Sequence, residues 1–368
     1  MPKFIAKTLK LLVALFLCFY FQQLLAQTRP LEVGVAGLSH DHIYLLMDYY
    51  QKGKVKITGI TETDPVLIEK FKKNYHFADS LFFKDIASMV KKRRPEVVMA
   101  FGANNQHLSV VEACAPLGVH VMVEKPLATT VEDAEKILKL AKGSGIEVLT
   151  DYETSWYSSN EQVYKQVKKG DIGPIRKMVA HDGHQGPKEI GCSAEFLEWL
   201  TDPVSNGAGA LFDFGCYGAN LMTWLMDGQQ PISVEATTKQ IKPGIYPKVD
   251  DDATVILQYP DATGIIEASW NWPFNIKDWE VYGKTGYLQA VDPDHIRSKT
   301  SKDNSYSLRQ LDAGAATYPD YIAYVSSVVR GEIQPGADLS SLENNLIVVK
   351  ILSAARQSAK EGKRIYLQ

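Results

Sequence analysis

Cysteine is scarce in this chain. Four occur in 368 residues, and with Cys18 set aside in the N-terminal segment, Cys114, Cys192 and Cys216 form an odd set without a Cys-x-x-Cys pair. That pattern argues against both a disulfide framework and a zinc knuckle. Basic charge is not in excess either. The formal net charge is −3, and losing Lys3, Lys7 and Lys10 with residues 1–26 takes it to −6, a balance that disfavours nucleic acid. Long apolar runs are missing as well. The run from Leu11 to Phe21 falls short of the roughly 20 residues a membrane span needs, so no stable membrane insertion is expected. With three lysines before it and Leu24-Leu25-Ala26 after it, residues 1–26 read as an export signal, an uncleaved anchor being the alternative. There is no twin-arginine pair and no lipidation box ahead of Cys18, so the general secretory route and a periplasmic or secreted location are expected. Internal repeats and low-complexity segments are absent.

What is present is enough apolar side chain for two cores. Hydrophobic residues make up 45% of the chain, and at roughly 150 residues per domain its length suggests two. From Leu31 to Asp151 short β-branched runs alternate with helical stretches. Strands are expected at residues 54–60, 96–101, 119–123 and 147–150, and helices at 65–75, 108–117 and 131–144. This alternation is that of a doubly wound parallel sheet. Beyond Asp151, a helix at 160–169 and the turn Gly170-Asp171-Ile172-Gly173-Pro174 precede longer strands at 175–180, 232–238, 253–259, 263–270 and 279–283, which read as a mostly antiparallel sheet. Helices return at 318–329 and 342–360. The expected fold is α/β, with a dinucleotide-binding domain over 28–150 and an α/β domain with an open sheet over 151–368, its C-terminal helix free to pack back on the first.

The first strand runs through Val33-Gly34-Val35-Ala36 into Gly37-Leu38-Ser39-His40, the entry to a dinucleotide fold. In such a turn the first glycine bends the chain, the second admits a pyrophosphate, and the third lets the helix pack on the strand. Those slots hold Gly37, Ser39 and His42, and only the first obeys the rule. The Ser39 hydroxyl can donate to a phosphate, while His42 either pushes the helix outward or caps the cofactor edge; a turn that has lost its cofactor is the alternative. Glu62, at the end of the second strand, can accept from both ribose hydroxyls and repel a 2′-phosphate, favouring NAD over NADP. Capping the next helix is its plainer role, one that Asp64 fills better. After the strand ending at Phe101, the loop Asn104-Asn105-Gln106-His107 lies at the carboxyl edge of the sheet, where Asn104, His107 and Glu124 are expected to meet a cofactor.

Lys125 follows Glu124 at that same edge, and Pro126 biases it to an extended conformation. A lysine that is desolvated or beside another cation titrates nearer working pH, which suits proton exchange with an alcohol; solvent decoration is the usual alternative. Asp213 and Tyr217 lie four apart after the glycine-rich run Asn206-Gly207-Ala208-Gly209, and share a face if a helix begins near Asp213. The carboxylate would then accept a substrate hydroxyl and the phenol exchange a proton with the reacting oxygen, although Asp213 could simply cap a helix.

Glu124-Lys125-Pro126, the glycine-rich run into Asp213, Val249-Asp250-Asp251-Asp252, Ala268-Ser269-Trp270 and the tail from Tyr318 to Leu367 together resemble the glucose-fructose oxidoreductase / inositol dehydrogenase / MocA family. The resemblance spans nearly the whole chain beyond the signal. It implies a Rossmann domain, an open-faced α/β domain whose sheet often forms homo-oligomer interfaces, a catalytic lysine at Lys125 and a catalytic aspartate at Asp213. Many members carry histidine where this chain has Tyr217, a departure that resembles the branch containing xylose dehydrogenase, dihydrodiol dehydrogenase and glucose-fructose oxidoreductase.

Other candidates follow from residue type. His40, Asp41 and His42, and His181, Asp182 and His184, are metal-ligand types, but each trio is compressed into one loop or strand with no partner at metal spacing, so no metal is expected. Asp182 and His184 would share a strand face toward substrate. Trp156, Tyr157, Trp270 and Trp272 could stack on a sugar ring, or pack in a core. The leading expectation is an exported NAD-dependent oxidoreductase acting on a secondary hydroxyl of a sugar or glycoside, its cofactor tightly held. Elimination through a transient ketone, and carbohydrate binding without cofactor, are the alternatives.

Overall fold

The computed structural model describes residues 29–312 and 314–367; the expected export signal lies outside them. In the N-terminal half, strands β1 (Leu31–Ala36), β2 (Val55–Thr61), β3 (Phe82–Phe83), β4 (Val97–Ala100), β5 (His120–Glu124) and β6 (Val148–Asp151) alternate with helices α1 (Ile43–Gln51), α2 (Pro65–Tyr75), α3 (Ile86–Arg93), α4 (His107–Cys114) and α5 (Val131–Ser144). β1 and β4 are apolar and almost wholly buried, as strands covered by helices on both faces must be. Local chemistry fixes the helix ends. Asp64 accepts from the Val66 amide ahead of α2, and Thr130 from the Asp133 amide ahead of α5, each satisfying a free N–H. The sheet is parallel throughout in the order β3-β2-β1-β4-β5-β6. Its direction of growth reverses between β1 and β4, and a crevice opens there at the carboxyl ends of the strands.

The second half holds α6 (Ser158–Lys169), β7 (Ile175–Gly183), α7 (Ala194–Leu200), α8 (Ala210–Asp213), α9 (Gly215–Leu225), β8 (Ser233–Lys239), β9 (Asp252–Gln258), β10 (Thr263–Ser269) and β11 (Ile276–Gly283). It continues through β12 (Gly286–Ala290), β13 (His295–Thr300), β14 (Ser307–Gln310), α10 (Tyr321–Val329), α11 (Leu342–Glu361) and β15 (Ile365–Tyr366). Nine strands form one sheet in the order β14-β13-β12-β11-β7-β10-β9-β8-β15, antiparallel except where β10 joins β7. Residues of β9 and β10 alternate between buried and half-buried, so one face packs while the other stays open. Helix α9 covers the packed face at close range: a Cβ on Gly218 would come within 2.9 Å of Ile266.

The tail returns to the first half, further than expected. Tyr321, Ile322 and Val325 of α10 share a core with Val33, Ile57 and Met99, while α11 places Leu342 and Val349 in the other core of the parallel sheet and Ile351 and Leu352 under the nine-stranded sheet. Strands β12 to β14 were not anticipated, because they are short and none alternates between buried and exposed residues. No helix among the described residues is long and apolar enough to cross a membrane.

Candidate active site

The crevice has two ends. At one, Gly37 adopts φ +84°, and a Cβ there would lie 2.8 Å from the Gly102 amide, so the β1 and β4 loops touch where only glycine fits. Most amides of the turn are already used. Gly37 donates to the Thr61 carbonyl, Leu38 to Glu62, His40 to the Phe101 carbonyl and His42 to the His40 ring. The amides of Ser39 and Asp41, with the Ser39 hydroxyl, are what the turn leaves for a phosphate. Glu62 accepts from Leu38 at 2.8 Å and from Thr63 and Asp64 at 2.6 and 3.0 Å, so it braces the loop as well as facing the cavity.

That cavity, of about 490 Å³, is bordered by Gly37, Ser39, Glu62, Gln106 and His107. Asn104 donates to Asn206 at 2.8 Å, which leaves Asn104 Oδ1 buried without a partner, as is His107 Nε2. Burial pushes His107 down to about 4, and the other ring nitrogen faces the Leu127 carbonyl at 3.2 Å, so Nε2 is an acceptor. A lined cavity with orphaned buried polar atoms fits a dinucleotide.

At the other end Lys125, Asp213 and Tyr217 converge on a second cavity of about 420 Å³. They arrive from three places: Lys125 just past β5, Asp213 at the end of α8, and Tyr217 in the first turn of α9. The two carboxyl-end residues do not share one regular helix, because the chain breaks at Phe214 (φ −109°). Lys125 donates to the Asp213 carboxylate and, at 3.0 Å, to its main-chain carbonyl. The Trp270 indole donates to the other carboxylate oxygen at 2.9 Å. Burial alone would lower the Lys125 ammonium, yet Asp213 outweighs it and the lysine titrates above its ordinary value; Asp213, which burial would raise, is held below its own by Lys125. The expected lowering of Lys125 is therefore reversed.

Glu124 faces His42, whose Nδ1 lies 3.0 Å from its carboxylate. Burial would raise the Glu124 carboxyl, but His42 and His40 beside it hold it down to about 2, and Glu124 in turn outweighs burial to raise His42. His42 was expected to push the helix outward or to cap the cofactor edge. It instead lines the cavity of Lys125, because its ring turns toward Glu124 rather than the glycine turn. Glu124 also supplies the partner that the local sequence hid from the His40 and His42 pair: the three offer ligand atoms within 4.8 Å of one another. His40 Nδ1 accepts the His42 amide at 3.1 Å, so its Nε2 carries the hydrogen; that nitrogen lies 3.8 Å from the Glu124 carboxylate, beyond hydrogen-bond reach.

Of the expected substrate contacts, His184 lines the cavity, edge-on to Phe214 at 4.8 Å, and burial keeps it below its ordinary value. Asp182 does not. It is 1% exposed beneath the cavity floor, and burial holds its carboxyl far above the usual range. Trp156 is also elsewhere, donating to Asp151 at 3.0 Å and packing against Tyr324 on a separate apolar cavity. Trp270 is fully buried as the brace of Asp213, not a sugar platform. Two site residues escaped sequence reasoning. Lys277 and Glu153 form an ion pair lining the same cavity, Lys277 from β11 and Glu153 from the turn after β6.

Residues 31–152 match the oxidoreductase family with an NAD-binding Rossmann fold, and residues 160–289 match the GFO/IDH/MocA C-terminal domain. The chain is 21% identical to the scyllo-inositol 2-dehydrogenase (NADP(+)) of Bacillus subtilis, over 92% of this chain and 96% of that protein. It superposes on the aldose-aldose oxidoreductase of Caulobacter crescentus with a TM-score of 0.77 at 20% identity, covering 92% and 100% of the two chains. An inositol dehydrogenase homologue from Azotobacter vinelandii, solved with NADH and myo-inositol, superposes with a TM-score of 0.76 at 17% identity, covering 92% and 98%. Two halves of this sheet order, a dinucleotide crevice and both family matches make the chain a member of the GFO/IDH/MocA oxidoreductases, with an NAD-binding Rossmann domain.

Proposed function

We propose that this protein interconverts a secondary hydroxyl and a ketone on a sugar or related polyol, using NAD that stays bound between turnovers. The observation that carries the reading is the convergence of Lys125, Asp213 and Tyr217 on one cavity beside the crevice. NAD, when bound, supplies the hydride acceptor; Ser39, Asp41, Glu62, Asn104 and His107 are the residues that would hold it. The Asp213 carboxylate keeps Lys125 an ammonium, which polarises the reacting oxygen but does not accept a proton. Tyr217, with its edge on the same cavity, is left as the proton carrier. His42, His184 and Asn275 border the space for neighbouring hydroxyls.

Retention of cofactor is supported by a strap. Residues 193–206 touch both banks of the crevice. On one bank the Ser193 amide donates to Asp41 at 2.9 Å, Glu195 pairs with Lys70 at 2.7 Å, and the Trp199 indole donates to the Ser39 carbonyl at 3.4 Å. On the other, Asn105 donates to the Ser205 carbonyl at 3.0 Å and Asn104 to Asn206. An exported location, which the N-terminal segment suggests, gives such retention a purpose, since free nicotinamide cofactor is scarce there.

The test is chemical. Denaturing the purified, extensively dialysed protein should release close to one equivalent of NAD or NADH per chain. Release of none, with NADP turned over in preference to NAD, would overturn both the retention and the role given to Glu62.

A further inference from the structure

Tyr217 lies between two ammonium groups. Lys125 Nζ is 5.4 Å from its ring centroid and Lys277 Nζ 4.9 Å. Each is paired with a carboxylate, Asp213 for the first and Glu153 for the second, but the two pairs are sealed differently. Lys125 and Asp213 are 7% and 6% exposed, whereas Lys277 is 11% and Glu153 46% exposed. Lys277 stands opposite Asp182 in the pairing of β11 with β7, yet its ammonium passes by that acid, whose Oδ2 has no partner, and ends beside the tyrosine.

This placement answers a difficulty in the chemistry. Burial, with Glu153, Cys216, Asp213 and Glu124 around it, holds the Tyr217 phenol protonated far above its ordinary range even with both ammonium groups in place, so without them it would be a poorer base still. The groups facing it are Glu124 and Lys125 from the end of β5, Tyr152 and Glu153 after β6, Asp213 and Cys216 from the helical segments, and Lys277 from β11. Two are cations, and the charge of Lys125 is met at contact by a buried carboxylate. Lys277 is the cation whose counter-ion is open to solvent, where screening weakens it.

We infer that Lys277, held by Glu153, is a positioning residue of the reaction: its ammonium favours negative charge on the Tyr217 oxygen, and Glu153 tempers that effect. The inference rests on Tyr217 being the proton carrier. In oxidation Tyr217 acts as the phenolate, its own proton having first passed to solvent water; the substrate O–H bond breaks and that proton passes to the Tyr217 oxygen, while the C–H electron pair leaves as hydride, for which NAD would be the acceptor; Lys277 gains and loses no proton.

The experiment is a spectrophotometric tyrosinate titration of the full chain in saturating NAD, taken as the difference between each protein and the same protein carrying Tyr217→Phe. Lys277→Met should move the Tyr217 titration upward by about one to two pH units, the size expected for one charge at such a distance in a protein interior. Glu153→Gln should move it downward, and Lys277→Arg should leave it near the native position. A role in packing alone predicts no such opposed pair of shifts. An unmoved titration in Lys277→Met, or shifts of one sign in both variants, overturns the inference while leaving Tyr217 as proton carrier. If no difference signal appears in the native protein or Glu153→Gln up to pH 12, the assignment of Tyr217 itself fails, and this inference with it.

Discussion

Lys125 and Asp213 act as one unit, because the charge of each is set by the other. Removing the lysine side chain does two separable things. It takes away the group proposed to polarise the reacting oxygen, and it leaves a buried carboxylate without its cation. Lys125→Met should therefore lower turnover by roughly 100- to 10,000-fold and also destabilise the fold by about 3–5 kcal/mol. Adding Asp213→Asn, which retains an acceptor for the Trp270 indole, should recover most of the stability in a urea titration and none of the activity. Recovery of activity would show that the pair serves only folding. At this scale the sequence announces Lys125, Asp213 and Tyr217 through short runs of chain whose residue types suit the chemistry. It hides the protonation state of Lys125, which depends on a carboxylate 88 positions away, and it hides the pair of Glu153 and Lys277, 124 positions apart, because nothing local marks either as a partner.

Elements are more legible than partners. Periodicity and caps place most of the strands and helices they indicate within a residue or two, since a buried β-branched run or an Asp-Pro start specifies its own conformation, while short elements such as β3 and α3 leave no such mark. The strap is different. Residues 193–206 contain one short helix, α7, and their role comes from where five polar contacts land rather than from any pattern along the chain. If these contacts hold the crevice shut, loosening them should speed the escape of cofactor. Lys70→Met removes a partly exposed ion pair of small value to stability, and Trp199→Phe keeps the packing against His40 and Phe196 while deleting the indole donor. Each net hydrogen bond or ion pair contributes about 1 kcal/mol, so the double variant should release NAD roughly five- to thirtyfold faster in stopped-flow exchange, with its melting temperature nearly unchanged. An unaltered release rate would mean that the strap lies beside the cofactor path instead of across it.

At the scale of the whole molecule, the proposed export of the chain and the proposed retention of its cofactor bear on one another, since the chemistry consumes an oxidised cofactor. A cofactor that left after every turnover would have to be replaced from a compartment that holds little of it. One that stays must be returned to its starting state in place, by reducing a second carbonyl after the first hydroxyl is oxidised. The architecture suits such a cycle: one cavity of about 420 Å³ is lined by Lys125, Tyr217 and Lys277, so successive substrates would meet the same proton carrier and the same two ammonium groups in either direction. Steady-state rates for an aldose or inositol donor with a keto-sugar acceptor should then give parallel double-reciprocal lines, the signature of a ping-pong sequence. Turnover should persist after dialysis without added NAD, and pre-incubation with donor alone should leave the bound cofactor reduced, visible by its absorbance, until acceptor is added. Intersecting lines, with activity restored to a dialysed enzyme only by micromolar NAD, would place the regeneration of cofactor outside this protein and remove the reason for retention.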